Sequence, residues 1–304
     1  EMTNFANWFA YYRFRLNMAK TATGQAFSKL NDNYRVGYIP LSSSTVTVGV
    51  APFDATDLSS TSARKKWYDT LYAQKTSGAT PNRAALARVG RYYAGKSIST
   101  NLPDPMEYSC QKNHTILVTD GYWNGTGGVD INGNSLDAVS TDSDADNPWN
   151  SRESGVFDGN AAKGTLADIA QYYYITDLRT SGSFSKNNVP TNSADQNNMQ
   201  HMNTYTMGLG IDGLMAYRKD YKTALSGDYF KITTGSTGCT WESSLTKTCN
   251  WPTPVADKPT AVDDLWHAAV NGRGQYFSAR SPKEAADGIT QALSDVVSVT
   301  GSAA

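Results

Sequence analysis

Strand-like and helix-like segments alternate along this chain, and that alternation leaves few architectures open to it. The clearest strand is Thr115-Ile116-Leu117-Val118-Thr119, which stops at Asp120-Gly121. Its residues are apolar or β-branched throughout. Ahead of it lie two short β-rich runs, 34–41 and 45–51, joined by Ser42-Ser43-Ser44. Helices are expected over 63–72, carrying Trp67 and Leu71, and after Thr80-Pro81. Thr80 suits the N-cap and Pro81 the first helical position. That helix should turn Leu86, Val89 and Tyr93 inward. Beyond Thr119 come a helix from Thr165 through Leu166, Ile169 and Tyr173, a strand over 203–209, a short helix over 264–270 and an edge strand over 275–279. The last helix opens on Ser281-Pro282-Lys283-Glu284, a capping box with proline at its first position. Ala285, Ile289, Leu293 and Val296 give it a buried stripe.

This order implies an α/β fold, a doubly wound, mostly parallel sheet with helices on both faces. At the amino end Phe5, Trp8, Phe9, Tyr12 and Leu16 recur every three or four residues, which predicts a helix with one aromatic face. No strand stands in front of it. A doubly wound sheet begins with a central strand, so the expectation is that the chain lacks its amino-terminal strand. The 304 residues read as one domain with polar insertions at about 97–113, 121–163, 180–200 and 211–262.

Several function classes find no support. Net charge is −1, from 27 basic and 28 acidic residues, and no basic stripe speaks for nucleic acid. No apolar run approaches the roughly 20 residues of a membrane span. Gly-x-Ser-x-Gly is absent, and His114, His201 and His267 have no motif-spaced nucleophile. Gly208-Leu209-Gly210-Ile211-Asp212-Gly213 fits a dinucleotide fingerprint, but the segment behind it is only weakly helical. A nucleotide-dependent enzyme using that loop is the runner-up from another class; the expectation is no enzyme. Asp142-Ser143-Asp144-Ala145-Asp146 alternates like a Ca²⁺ loop without its Gly and Glu. Asp130-Ile131-Asn132-Gly133-Asn134 reads as a hairpin turn. Tyr122, Trp123 and Trp149 either form a contact surface or pack the insertions onto the sheet. Cys239 and Cys249, ten residues apart around Trp241, are read as a disulfide, with two free thiols as the alternative; Cys110 is then free or paired outside these residues.

At the end of the clearest strand, Asp120 is placed as ligands are in open α/β sheets, and Thr80 could offer a hydroxyl from a neighbouring loop. The plain alternative is a strand-end turn and a helix cap. Longer runs carry a resemblance: Asn4-Phe5-Ala6-Asn7-Trp8-Phe9-Ala10-Tyr11-Tyr12-Arg13, Asn33-Tyr34-Arg35-Val36-Gly37, Thr115 to Gly125, Leu166 to Ala170, and Asp264 to Gly274. With these the chain resembles the von Willebrand factor A-like portion of the PilY/PilC family of type IV pilus tip adhesins.

The resemblance implies a von Willebrand A fold and a metal-ion-dependent adhesion site holding a divalent cation, Mg²⁺ or Ca²⁺. Thr80 and Asp120 would be two of its ligands. The family's Asp-x-Ser-x-Ser loop would precede the first helix and is not in these residues, so the site is expected to be incomplete. Asp57-Leu58-Ser59-Ser60-Thr61 nearly spells that loop but follows the wrong strand, and reads as a turn and cap. The implied role is adhesion and pilus biogenesis at the cell surface, at the pilus tip of a Gram-negative bacterium, after export through the periplasm and outer membrane. The implied partners are minor pilins and a host or abiotic surface ligand. A structural or mechanosensing module with a vestigial metal site is the alternative within the family.

Overall fold

A computed structural model describes residues 2–6, 14–76, 78–96, 102–138 and 162–300. Residues 2–6 are helical. The elements that follow are α1 (Arg15–Phe27), β1 (Arg35–Tyr38), β2 (Val48–Pro52), α2 (Ala63–Ala73), α3 (Asn82–Tyr93), β3 (Asn113–Thr119), α4 (Leu166–Ile175), β4 (Met202–Leu209), α5 (Asp228–Thr233), α6 (Thr260–Asn271), β5 (Arg273–Ala279) and α7 (Pro282–Thr300).

β3, β4 and β5 form a parallel sheet in that order, with Thr115 opposite Thr204 and Met207 opposite Phe277. β4 is central and buried at every position. Its faces differ in size. Tyr205, Met207 and Leu209 meet α1 and α7 through Met18, Ala22, Ala285 and Ile289. Thr204, Thr206 and Gly208 point the other way, and there α6 comes close: the Thr206 hydroxyl donates to the Leu265 carbonyl at 2.6 Å. Leu86 of α3, Ile169 and Tyr173 of α4 and Trp266 of α6 fill that side. Gly90 lets α3 touch α4, since a Cβ there would lie 2.2 Å from the Tyr173 ring.

The sheet is not continuous. β1 and β2 pair antiparallel as a separate hairpin, Arg35 opposite Pro52, backed by α2 through Trp67 and Leu71. The expected single sheet is therefore two pieces, because among the described residues no strand lies between β1 and β3 to join their edges.

Four local expectations are corrected. The buried face of α1 begins at Met18 and runs through Ala22 and Ala26. Phe5 is 63% exposed, and Trp8, Phe9 and Tyr12 lie outside the described residues. α6 starts four residues before the expected Asp264, since Asp263 and Asp264 are buried within the helix. Thr80 does not cap α3: the cap position is Pro81, with no side-chain bond. The capping box at α7 is shifted by one partner. Ser281 Oγ accepts from the Glu284 amide, and the Glu284 carboxylate takes the amide of Arg280.

Candidate functional site

The carboxyl ends of β3 and β4 form one rim with the loop that leads into α3. Freed from capping, Thr80 turns toward the end of β3: a Cβ on Gly121 would lie 3.1 Å from its hydroxyl. Thr80 and Asp120 both line the mouth of one cavity. The loop after β3 locks them together. Asn124 accepts the Thr80 amide through Oδ1 at 2.8 Å, and its own amide donates to the Thr80 carbonyl at 3.0 Å. Asn124 Nδ2 also donates to Asp257 at 2.7 Å. Arg15, at the start of α1, donates to the Asp120 carbonyl at 2.9 Å. The Asp120 carboxylate is exposed and makes no hydrogen bond or ion pair among the described residues.

Next to it Trp123 is buried and packs the loop inward. Its indole donates to Asp264 at 2.6 Å, and Arg83 stacks over its ring at 4.2 Å. Tyr122 also packs against the core, and Trp149 lies outside the described residues. Asp264 takes two further donors, the amides of Leu166 and Ala167 at the amino end of α4. It therefore occupies from within the place where that helix would attract an anion. Burial pushes its carboxyl up to about 7 against the pull of these donors. Asp263 does the same for the amides of Leu214 and Met215, and burial lifts it to about 6. Sequence reasoning missed this clamp. The signal was present: two adjacent acids in a helix whose other positions, Ala-Val before and Leu-Trp after, are apolar on every side.

A second polar cluster sits at the opposite, amino ends of the strands. Asp195 is bonded by Tyr174, His201 and Asn203, with Lys112 at 3.9 Å. Burial opposes its ionisation, but His201, Lys112 and Asn203 override that and hold it down at about 2. Both His201 nitrogens face oxygens, those of Asp195 and the Met199 carbonyl. The pair is sealed from solvent and fastens the loop before β4.

The remaining motifs are absorbed by packing. No helix opens behind Gly210; α5 starts only at Asp228. A Cβ on Gly213 would strike Asp263, and Asp212 pairs with Arg280 at 2.7 Å. The helix amino terminus that a pyrophosphate needs is thus lacking. Asp57 accepts the Ser59 amide in an exposed turn, and Ser62 caps α2. Asp130 to Asn134 form a turn between the bridged residues Val129 and Ser135. His267 stacks on Trp251 at 4.4 Å. Asp142 to Asp146 lie outside the described residues. Cys239 and Cys249 form a buried disulfide, and Cys110 is free and exposed.

A divalent cation at the rim would find two hard oxygens, from Thr80 and Asp120. Among the described residues no group of three or more His, Cys, Asp or Glu could hold a metal. These two donors do not make a closed protein shell for such an ion.

The chain is 32% identical over 312 residues to the type IV pilus biogenesis factor PilY1 of Pseudomonas aeruginosa strain UCBPP-PA14. It is 31% identical over 329 residues to that of strain PAK. Each match covers 98% of this chain. Over this span the chain belongs to the PilY1/PilC family. It spans about a quarter of those relatives' length. No family model matches the chain, and no solved structure matches it significantly.

Proposed function

We propose that this chain is a non-enzymatic binding domain of a type IV pilus factor, with a von Willebrand A-type fold and its binding end at the Thr80–Asp120 rim. The observation that carries this is the uncommitted carboxylate of Asp120. Around it the other polar groups of the loop are fixed by partners: Asn124 holds Thr80, Trp123 holds Asp264, and Asp257 holds Asn124. A rigid frame that leaves one acidic side chain free is suited to engage something from outside. Family membership supports a setting at the pilus, on the cell surface, with export through the periplasm and outer membrane of a Gram-negative cell. Minor pilins are the proposed structural partners, and a host or abiotic surface the proposed target.

Attachment is proposed to be assisted by Mg²⁺ or Ca²⁺, bound by the Thr80 hydroxyl and the Asp120 carboxylate. In the longer polypeptide, Asp120→Ala and Thr80→Ala should each abolish the part of surface attachment that EDTA removes and Mg²⁺ restores. Unchanged cation-dependent attachment in both variants contradicts the proposal.

The second reading is a structural or mechanosensing pilus module with a vestigial metal site. Arg15 favours it, because its guanidinium reaches the Asp120 backbone and places a fixed positive charge beside the rim. That reading predicts attachment insensitive to EDTA, and normal pilus display in the Asp120→Ala cell.

A further inference from the structure

The amino ends of β3 and β4 hold a buried amine that bonds nothing. Lys112, one residue ahead of β3, has a side chain only 3% exposed, yet its Nζ makes no hydrogen bond among the described residues. The Asp195 carboxylate lies 3.9 Å away, beyond hydrogen-bond length. An ammonium buried in this way is costly, and burial accordingly lowers the Lys112 pKa, toward the neutral amine that acts as a nucleophile.

The carboxylate beside it is fixed in place. Asp195 Oδ1 accepts the Tyr174 hydroxyl and the Asn197 amide. Oδ2 faces His201 at 3.0 Å, Lys112 Nζ, and the side-chain amide of Asn203, which donates to it at 3.2 Å. A free amine and a carboxamide thus converge on one oxygen. The strand register explains the meeting. Asn203 stands opposite His114, and Lys112 is two residues before His114, one diagonal step from Asn203 on the same face. Diagonal neighbours on a sheet are about 7–8 Å apart, a gap that a lysine side chain spans. Asn203 Oδ1 is buried without a partner, so the carboxamide carbonyl is held by no donor. Asn203 and His201 are both buried, which shuts the group off from solvent.

We propose that Lys112 and Asn203 are joined by an isopeptide bond, made by these side chains alone with Asp195 as the proton carrier. The neutral Lys112 Nζ attacks Asn203 Cγ; the Nζ–Cγ bond forms and the Cγ–Nδ2 bond breaks. Asp195 Oδ2 takes the proton that Nζ gives up and passes it to Nδ2, which leaves as ammonia. Asp195 begins and ends as a carboxylate, and nothing is oxidised or reduced. The sheet supplies the driving proximity, holding amine, carboxamide and base together in a dry site. The product replaces a buried, unbonded amine with a neutral amide N–H beside Asp195. It also ties the entry of β3 to β4 covalently, closing a loop through every segment between them. This staple depends neither on adhesion nor on a cation at the rim.

The test is the intact mass of the folded, purified chain, measured after denaturation and reduction. It should lie about 17 Da below the mass of the sequence, the loss of one ammonia. A protease digest should hold the peptide containing Lys112 bound to the one containing Asn203. Lys112→Arg and Asn203→Ala should each show the full mass of their own sequences and no linked peptide. Full sequence mass in the unaltered, folded chain overturns the proposal, whatever the variants do. So does a deficit that persists in Lys112→Arg, which places the lost ammonia elsewhere, as in cyclisation at Asn132-Gly133.

Discussion

On its β4 side β3 belongs to a finished structure. There β4 is buried at every position, α6 is buried from Ala261 to Asn271, and the acids within it are bonded by loop amides. On its β1 side the same strand faces a slot, and the hairpin is held by scattered side-chain bonds such as Trp67 to the Gly37 carbonyl and Arg35 to the Pro105 carbonyl. The contrast separates a closely packed flank of one strand from an open one. Substitutions can take the two apart.

The largest effect should come from the finished flank. Asp264→Ala strips the acceptor from three buried donors and should cost about 3–5 kcal/mol in chemical denaturation. A loss below about 1 kcal/mol would mean that this flank is as loose as the other. A residue from each flank gives the sharpest contrast. Leu265→Ala in the fully buried α6 opens a cavity in the sealed core and should cost about 2–5 kcal/mol, whereas Ile116→Ala, half-buried and lining the slot, should cost about 1 kcal/mol. Equal losses would erase the difference between the flanks.

pH offers a gentler probe. The carboxyls of Asp263 and Asp264 are raised in the folded state, so the folded chain holds their protons more tightly than the unfolded chain. Their contribution is complete below about pH 4 and is lost as pH rises through about 6 to 7. Asp195 is depressed and acts in the opposite sense, its contribution being lost as pH falls from about 4 toward 2. Urea melts should show stability declining from pH 5 to 7, and Asp264→Asn should flatten that decline. The smallest effect is expected at the rim: Asp120→Ala should change stability by less than about 0.5 kcal/mol, because the exposed carboxylate has no partner to lose.

Much of the finished flank was legible in the sequence. The apolar run at Thr115 to Thr119, the periodic stripes of α3 and α7 and the short Cys239–Cys249 spacing each carry their own signal. What escaped depends on contacts between distant segments. Paired acids in an apolar helix mark Asp264 as a buried acceptor, but nothing local names its partners Leu166 and Trp123, 98 and 141 residues away. Thr80-Pro81 has the form of a helix start, yet the Asn124 side chain captures the Thr80 backbone and turns its hydroxyl toward Gly121. The aromatic stripe from Phe5 to Leu16 is periodic, but the buried face of α1 starts beyond it. Periodicity reports that a face exists, and tertiary packing decides which residues on it are covered.

The rim is tested most directly by titrating Mn²⁺ into isotope-labelled residues 1–304 and following paramagnetic broadening by NMR, which detects even a weakly held ion. Broadening should centre on Thr80, Asp120 and Gly121 together, and vanish in Asp120→Ala. Broadening centred on the acidic stretch around Asp144, or none near position 80 while position 120 responds alone, would show that the two residues do not form one site.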